Sequence, residues 1–566
     1  MEIRQFLFHY KKNIFFLMLF SLIEASASYI IPFIVRSLLQ NVELRHFPVN
    51  YVMLFMFILV GMYLCTIFYR ILLLKFSLKF KCETLIQFFK KLFSVRLPFI
   101  HKKGPTYYTE RILNATDKIF AFISDSASAV SVSIISMMIA LTIIFFLNKV
   151  LFIFFTLLIP INFLSYRRLN FQLQTKCSEL QQVSATNLKN VINMVQNVEA
   201  IKQNTNYQSF LRMLDKYITN WQKKTYDVSM YGMLFSATIN FLTECIKNGV
   251  LFLTCYYFLS NKILFADLIF VNLIFSVYFE AINSLNRLNI NFRDVKAGLS
   301  FIKDEVETLM EKEDEGEALH KIETISFNIK KFRYAPDRDI LKDINVEFRM
   351  GDKIGLVGRI GSGKSTIIKL LMRFYDEFEE IKINNKNIKK YSLRSLRRNI
   401  YVVSQTPFLF PGTVRENITI GLEHVDENRF HSVVSLPFLS TFLKELPQGL
   451  DTEIGEGSFN LSGGQKQMIM VARSLMHNPS LIVFDESTAS MDSRIEEQIY
   501  FEISSFLKAK IVIKISHRLS TLKDCNKIIV IKNGRINGIG SHEELVRVSD
   551  EYRKLFSRQL LSSKEG

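Results

Sequence analysis

Uncharged apolar runs follow one another through the first half of the chain, from Asn13 to about Leu285, and then stop. A helix needs about 20 mostly apolar residues to cross the roughly 30 Å hydrocarbon layer of a bilayer. Six stretches qualify: Ile14 to Leu38, Val52 to Leu74, Ala127 to Leu147, Val150 to Tyr166, Met230 to Phe258 and Ile263 to Leu285. Backbone in lipid must satisfy its own hydrogen bonds, so this half is expected to be an all-α six-span transmembrane domain. Asn148-Lys149, the break between the third and fourth spans, is expected to be a tight turn at one membrane face. The run after Met1-Glu2-Ile3-Arg4-Gln5 contains Glu24 and is too long for a signal sequence, so the first span is expected to stay in the mature protein.

A formal charge of +18 raises the question of nucleic acid, and the answer lies in where the cations sit. They cluster in two connections, Arg70 to Lys103 and Arg167 to Lys224, that flank the apolar runs. With a single Trp and no nucleic-acid motif, the bilayer is the expected partner and nucleic acid is not. The positive-inside rule puts both connections, with Arg4, Lys11 and Lys12, in the cytoplasm, and an even number of spans returns the second half to the same side. Helical periodicity, as from Ala185 to Tyr217, implies that spans two to five run well beyond the bilayer. The six cysteines are scattered without metal spacing and read as small apolar fillers.

Ionisable residues inside apolar spans are costly and point to function by default. Glu24, Glu244 and Lys247 are the candidates for a cargo path, while Asp267 and Glu280 lie near span ends, within reach of the water interface. Glu244 and Lys247 stand i, i+3 on one helix, so mutual neutralisation is an equally good reading of that pair.

A chain of 566 residues exceeds a single core, and the acidic stretch from Lys303 to Ile322 reads as a solvated helix end and linker. The division expected is 1–302 transmembrane domain with cytoplasmic extensions, 303–321 linker and 322–566 ATP-binding domain of α/β P-loop NTPase fold. Lys353-Ile354-Gly355-Leu356-Val357 reads as a buried strand, followed directly by Gly358-Arg359-Ile360-Gly361-Ser362-Gly363-Lys364-Ser365-Thr366, a P-loop. Its glycines let backbone N–H groups face one concavity, and the helix starting near Lys364 adds its positive end beneath the phosphates. Lys364 is expected to reach the β and γ phosphates of ATP, and Ser365 to ligate Mg²⁺.

A second strand, Leu481-Ile482-Val483-Phe484, ends in Asp485-Glu486. Asp485 is expected to hold Mg²⁺ and Glu486 to polarise the attacking water, since phosphoryl transfer needs an oriented nucleophile and a neutralised γ phosphate. Leu461-Ser462-Gly463-Gly464-Gln465 opens a further helix and makes another anion-binding start. Two such domains head to tail could hold two ATP molecules, each between one P-loop and the other chain's Ser-Gly-Gly.

Taken together, these motifs resemble the ATP-binding-cassette (ABC) transporters of the exporter type, over nearly the whole chain. The resemblance implies that Tyr334 stacks on adenine, that Gln405 senses Mg²⁺ near the membrane helices, and that His517 contacts the γ phosphate. It likens Ser490-Met491-Asp492 to the loop crossing the dimer interface and Thr452 to Gly457 to a segment typical of exporters. It also implies short transverse helices that touch the ATP-binding domains, with Ala115 to Ile123 and Asn206 to Leu214 as candidates. Met491, Lys466 and Asp376 to Glu380 depart from the family pattern without touching a phosphate or metal ligand.

The resemblance implies ATP-driven export by alternating access, with ATP and Mg²⁺ as ligands and a homodimer as the working unit, a heterodimer being the alternative. The composition suits an amphipathic or apolar cargo, whether small molecule, lipid or peptide, and mildly favours a bacterial plasma membrane. No soluble domain precedes the first span, so a built-in leader peptidase is not expected. Import through the same fold, or a nucleotide-gated channel or regulatory subunit, are the competing readings.

Overall fold

Helix length follows from the apolar runs and their basic tails. The computed structural model describes residues 11–43, 49–203, 207–260, 262–312, 315–334, 338–455, 461–485, 493–516, 518 and 520–562. They divide into two units, Met1–Met310 and Glu311–Gly566.

The first unit is helical: α1 (Lys11–Glu43), α2 (Val49–Phe93), α3 (Leu97–Lys103), α4 (Pro105–Ala121), α5 (Ser128–Leu147), α6 (Lys149–Gln196), α7 (Val198–Lys202), α8 (Tyr207–Leu259) and α9 (Phe265–Phe301). At about 1.5 Å per residue, the 48 residues of α6 and 53 of α8 reach more than twice the thickness of a bilayer core. Among the described residues, four helical segments are long and apolar enough to cross a membrane: Leu19–Gln40, Phe55–Phe93, Pro105–Leu147 and Phe265–Leu285. The expected fourth and fifth spans lie inside α6 and α8, helical throughout, but are not among those four. Asn148 alone separates α5 from α6, and its side chain accepts from the N–H groups of Val150 (2.8 Å) and Leu151 (3.3 Å), capping α6.

Phe155, Phe270, Ile274, Phe275 and Tyr278 are fully buried and hold α1, α5, α6 and α9 together. Two phenols satisfy themselves on backbone across that core, Tyr29 on Ser136 O (2.6 Å) and Tyr278 on Phe155 O (2.8 Å). A second cluster, around Tyr108, Ile112 and Ala115, joins α2, α4 and α9; a Cβ on Gly298 would meet the Ala115 side chain at 2.9 Å, so glycine sets that close approach.

Two expectations need correction. Ala115 to Ile123 is no transverse segment: it lies in α4 and the π-helical turn after it, facing Gly298. Short helices stand instead where the long hairpins reverse, at α3 and α7, the first delimited by Pro98 and by Gly104-Pro105. Asn206 lies outside the described residues, and the rest of the second candidate opens α8. The acidic segment after Phe301 is also less solvated than its composition suggests. It continues as a π-helical turn, Ile302–Val306, in which Val306 is fully buried; Glu305 within it and Glu307 just after it pair with Lys103 and Lys91.

The second unit is built on a six-stranded sheet in the order β12-β11-β3-β10-β9-β6. These strands are β3 (Lys353–Gly358), β6 (Ile400–Val403), β9 (Leu481–Asp485), β10 (Ile511–Ile515), β11 (Lys527–Lys532) and β12 (Arg535–Gly540), parallel except β12. The near-continuous apolar runs of the central β9 and β10 are buried, as in any parallel sheet covered on both faces. An antiparallel sheet holds β1 (Thr324–Phe332), β2 (Leu341–Arg349), β4 (Glu380–Ile383) and β5 (Lys386–Asn387), and β7 (Gly412–Thr413) pairs with β8 (Glu453–Ile454). Three helices concern the site: α10 (Lys364–Leu371), α12 (Val414–Thr419) and α15 (Gly463–His477); α11 (Leu393–Arg398) precedes β6, and α13 (Glu427–Val434) and α14 (Pro437–Glu445) precede α15.

Candidate nucleotide site

The carboxyl ends of β3, β6 and β9 lie on one edge of the parallel sheet, where open α/β folds bind ligands. At the end of β3 the chain turns through Gly358, where a Cβ would fall 2.3 Å from Ile531 O; no side chain is tolerated there. Gly363 caps α10 in the left-handed region (φ 110°), directly before Lys364. Lys364 is buried, and its Nζ donates to Gly358 O (2.7 Å) and Arg359 O (3.2 Å).

A cavity of ≈ 470 Å³ opens over this loop, lined by Tyr334, Arg338, Ile360, Gly361, Gly363, Lys364, Ser365, Thr366, Gln405 and Asp485. All the expected P-loop, adenine and Mg²⁺ residues that line it thus share one space of nucleotide size. The fit has a local test: within the loop, Ser362 Oγ is buried with no hydrogen-bond partner among the described residues, a polar atom that phosphate chemistry would satisfy. Ser365, Gln405 and Asp485 offer a hydroxyl, an amide and a carboxylate, the hard oxygen donors that Mg²⁺ takes alongside nucleotide phosphates.

Tyr334 stands at the mouth, its hydroxyl bonded to Thr366 Oγ1 (3.0 Å) and its ring packed edge-on to Phe332 and Tyr375 at 5.1 and 4.9 Å. Burial pushes its phenol up, so it stays protonated at neutral pH. Tyr375 and Arg338 were not anticipated as site residues; each is a single aromatic or cation outside any motif.

Ser462 caps α15, its Oγ accepting from Gln465 N (3.2 Å) while Gln465 Oε1 accepts from Ser462 N (2.9 Å). Leu461 is buried, and Ser462 and Gly463 are exposed. Among the described residues, none of Leu461 to Gln465 lines the P-loop cavity.

Glu486, His517, Ser490-Met491-Asp492 and Glu456-Gly457 lie outside the described residues. Their neighbours are ordered by a residue that sequence reasoning missed. Glu496 is buried and accepts from Arg518 Nη1 (3.0 Å) and Thr521 Oγ1 (3.2 Å), tying the segment after β10 to the helix Ser493–Glu502.

In the membrane unit, Glu24 and Arg70 face a separate cavity of ≈ 590 Å³, with Ser124, Ser133 and Ser284 on its walls. Glu244 and Lys247 do not line it; they face each other at 4.0 Å on α8.

The model of the ABC transporter transmembrane region matches residues 13–282, and that of the ABC transporter matches residues 341–489. The chain is 33% identical over 331 residues to the ATM1-type heavy metal exporter of Novosphingobium aromaticivorans, covering 57% of this chain and 54% of the relative. It is 32% identical over 380 residues to the alpha-hemolysin translocation ATP-binding protein HlyB of Escherichia coli O157:H7, 66% of this chain and 54% of the relative. The chain thus spans about half the length of the curated relatives it matches. In fold it is similar to a bacterial Atm1-family ABC exporter with ATP bound, with a TM-score of 0.84 over 97% of this chain and 98% of the other at 23% identity. With a membrane-region match in one unit, an ATPase match in the other and this fold across both, the chain belongs to the ABC transporter family.

Proposed function

We propose that the chain is one half of an ATP-driven exporter, working as a homodimer in a bacterial plasma membrane with its ATP-binding unit in the cytoplasm. The observation that carries this reading is the convergence of Tyr334, Lys364, Ser365, Gln405 and Asp485 on one cavity, in a chain whose other unit holds helices of membrane length.

Each step is the work of named residues. Tyr334 stacks on adenine, and the backbone N–H groups from Gly361 to Lys364 take the phosphates. Lys364 exchanges Gly358 O and Arg359 O for phosphate oxygens. Ser365, Gln405 and Asp485 would hold Mg²⁺, which would supply the charge that neutralises the γ phosphate. Glu486 orients the attacking water and His517 contacts the γ phosphate. Leu461 to Gln465 of the partner subunit close over the same ATP. ATP biases the membrane helices only as far as it binds the closed dimer better than the open one.

The cargo is an amphipathic solute with a charged head. Glu24 and Arg70 give one cavity both signs of charge, and three serines add hydrogen bonds. Relatives are named for heavy metals, iron-sulfur clusters, a hemolysin and multidrug resistance, so metal-carrying and peptide-like amphiphiles are tested alongside drugs.

The test is ATPase activity of the nanodisc-embedded protein, with and without Glu486→Gln, across candidate amphiphiles. Turnover by wild type, its loss in the variant and a compound that changes the rate support the reading. ATP binding without Glu486-dependent turnover overturns the homodimeric motor.

A further inference from the structure

The ends of two neighbouring parallel strands are joined by an acid from a distant helix. Gly358 and Ile531 are register partners at the ends of β3 and β11. The residues that follow them, Arg359 and Lys532, both turn to Glu551 in the helix Asp550–Ser562: Arg359 Nε lies 3.3 Å from Oε1 and Lys532 Nζ 2.8 Å from Oε2. Glu551 is 5% exposed, whereas Arg359 is 71% exposed at the side chain. A buried carboxylate between two cations is costly to assemble unless both stay in place. Its helix is held rigidly by Tyr552 and Phe556, which are buried with Val357 and Val530, the residues just ahead of the two strand ends.

Arg359 is also a link to the lysine that meets phosphate. Its carbonyl, with that of Gly358, accepts from Lys364 Nζ. Whatever fixes the Arg359 backbone therefore fixes the first turn of the loop and the resting position of Lys364.

We propose that Glu551 is a positioning residue for the P-loop: by holding Arg359 against the end of β11 it keeps the loop preorganised and so raises affinity for the triphosphate of ATP. The inference rests on ATP binding at this loop. A rival effect has the opposite sign. Removing one negative charge draws phosphate closer, but across about 10 Å of water that is worth no more than about twofold.

The experiment measures the equilibrium binding of a fluorescent ATP analogue, and KM and kcat for ATP, in the full-length protein. Glu551→Gln, Arg359→Gln and the double variant are compared with wild type. The expected result is about a fivefold weaker Kd and a matching rise in KM for each single variant, with kcat changing less than KM. The double variant should be no worse than the singles, as contacting residues are non-additive. Additive losses, or tighter binding by Glu551→Gln, overturn the proposal. Should Glu551→Gln fold poorly, Arg359→Gln, at the surface, carries the test alongside Glu551→Asp, which keeps the carboxylate and is expected to lose less affinity than Arg359→Gln; an equal or larger loss overturns the proposal. A wild type that binds no ATP refutes instead the function proposed above.

Discussion

Arg36 Nη2 lies 2.6 Å from Asp267 Oδ1, joining α1 near its end to α9 in its first turn. The Arg36 guanidinium also sits over the Phe270 ring, 5.0 Å from its centre. Both side chains are largely shielded, 28% and 15% exposed. Asp267→Asn leaves the cation without its counter-charge, a loss of about 3–5 kcal/mol at full burial and about 1–2 kcal/mol in this partly shielded, membrane setting. Thermal unfolding in one detergent should show a lower Tm for Asp267→Asn, with partial recovery in Asp267→Asn/Arg36→Gln. An unchanged Tm would mean the pair adds nothing to the fold.

Tyr334 presents its ring at the mouth of the nucleotide cavity while its hydroxyl is held by Thr366. Stacking on a base is worth about 1–3 kcal/mol by alanine substitution, which is about 5- to 150-fold in affinity. Tyr334→Ala should weaken ATP binding within that range and Tyr334→Phe by much less, since the ring stays and only the hydrogen bond to Thr366 goes. Equal losses in both variants would assign the effect to the hydroxyl and remove the stacking role.

The candidate nucleotide site was legible as a cluster of motifs because they are local. From Gly358 to Thr366 every residue is consecutive, and Asp485 and Gln405 each end or follow a strand recognisable by its apolar run. What escaped depends on partners far apart in sequence. Asp267 could be seen as an intramembrane acid, but Arg36 as its counter-ion could not, and Glu496 gives no sign that Arg518 will reach it. The short helices α3 and α7 were misassigned for a different reason. The candidates Ala115 to Ile123 and Asn206 to Leu214 were placed by resemblance alone, whereas the breakers Leu97-Pro98 and Gly104-Pro105, visible in the sequence, are what delimit α3.

Arg473, buried on α15, donates from Nε to Asn417 O (2.6 Å) and from Nη2 to Asn417 Oδ1 (3.0 Å). Asn417, itself buried on α12, uses the same amide to hold Phe410 through N–H and C=O, each at 2.8 Å. Asn417→Ala therefore removes one partner of the Arg473 guanidinium, whose Nε keeps Asn417 O, and leaves two backbone groups of Phe410 unpaired at once. Hydrogen bonds to charged groups contribute about 1.5–3 kcal/mol each, so a loss of about 3 kcal/mol is expected, or about 6–12 °C in the Tm of a unit of this size. Differential scanning calorimetry that resolves the ATP-binding unit should show that shift; one below about 2 °C, under 1 kcal/mol, would mean that water replaces the network.

His477 closes α15 with its Nε2–H donating to Ile420 O at 2.9 Å, beside the Tyr401 ring. Burial holds its pKa below the ordinary value, and the Arg473 and Arg398 cations push the same way against the backbone hydrogen bond. With the folded value depressed, the unfolded chain takes up the proton first as pH falls. The contribution of neutral His477 is thus complete above about pH 6.5 and erodes below it, down to the folded pKa. The ceiling is about 1.4 kcal/mol per pH unit, and the partly exposed ring should show well under that because solvent screens it. His477→Gln keeps a donor for Ile420 and does not titrate. Its Tm should therefore fall less than that of wild type between pH 6.5 and 5.5. Parallel Tm–pH curves for the two proteins would show that His477 does not set this acid sensitivity.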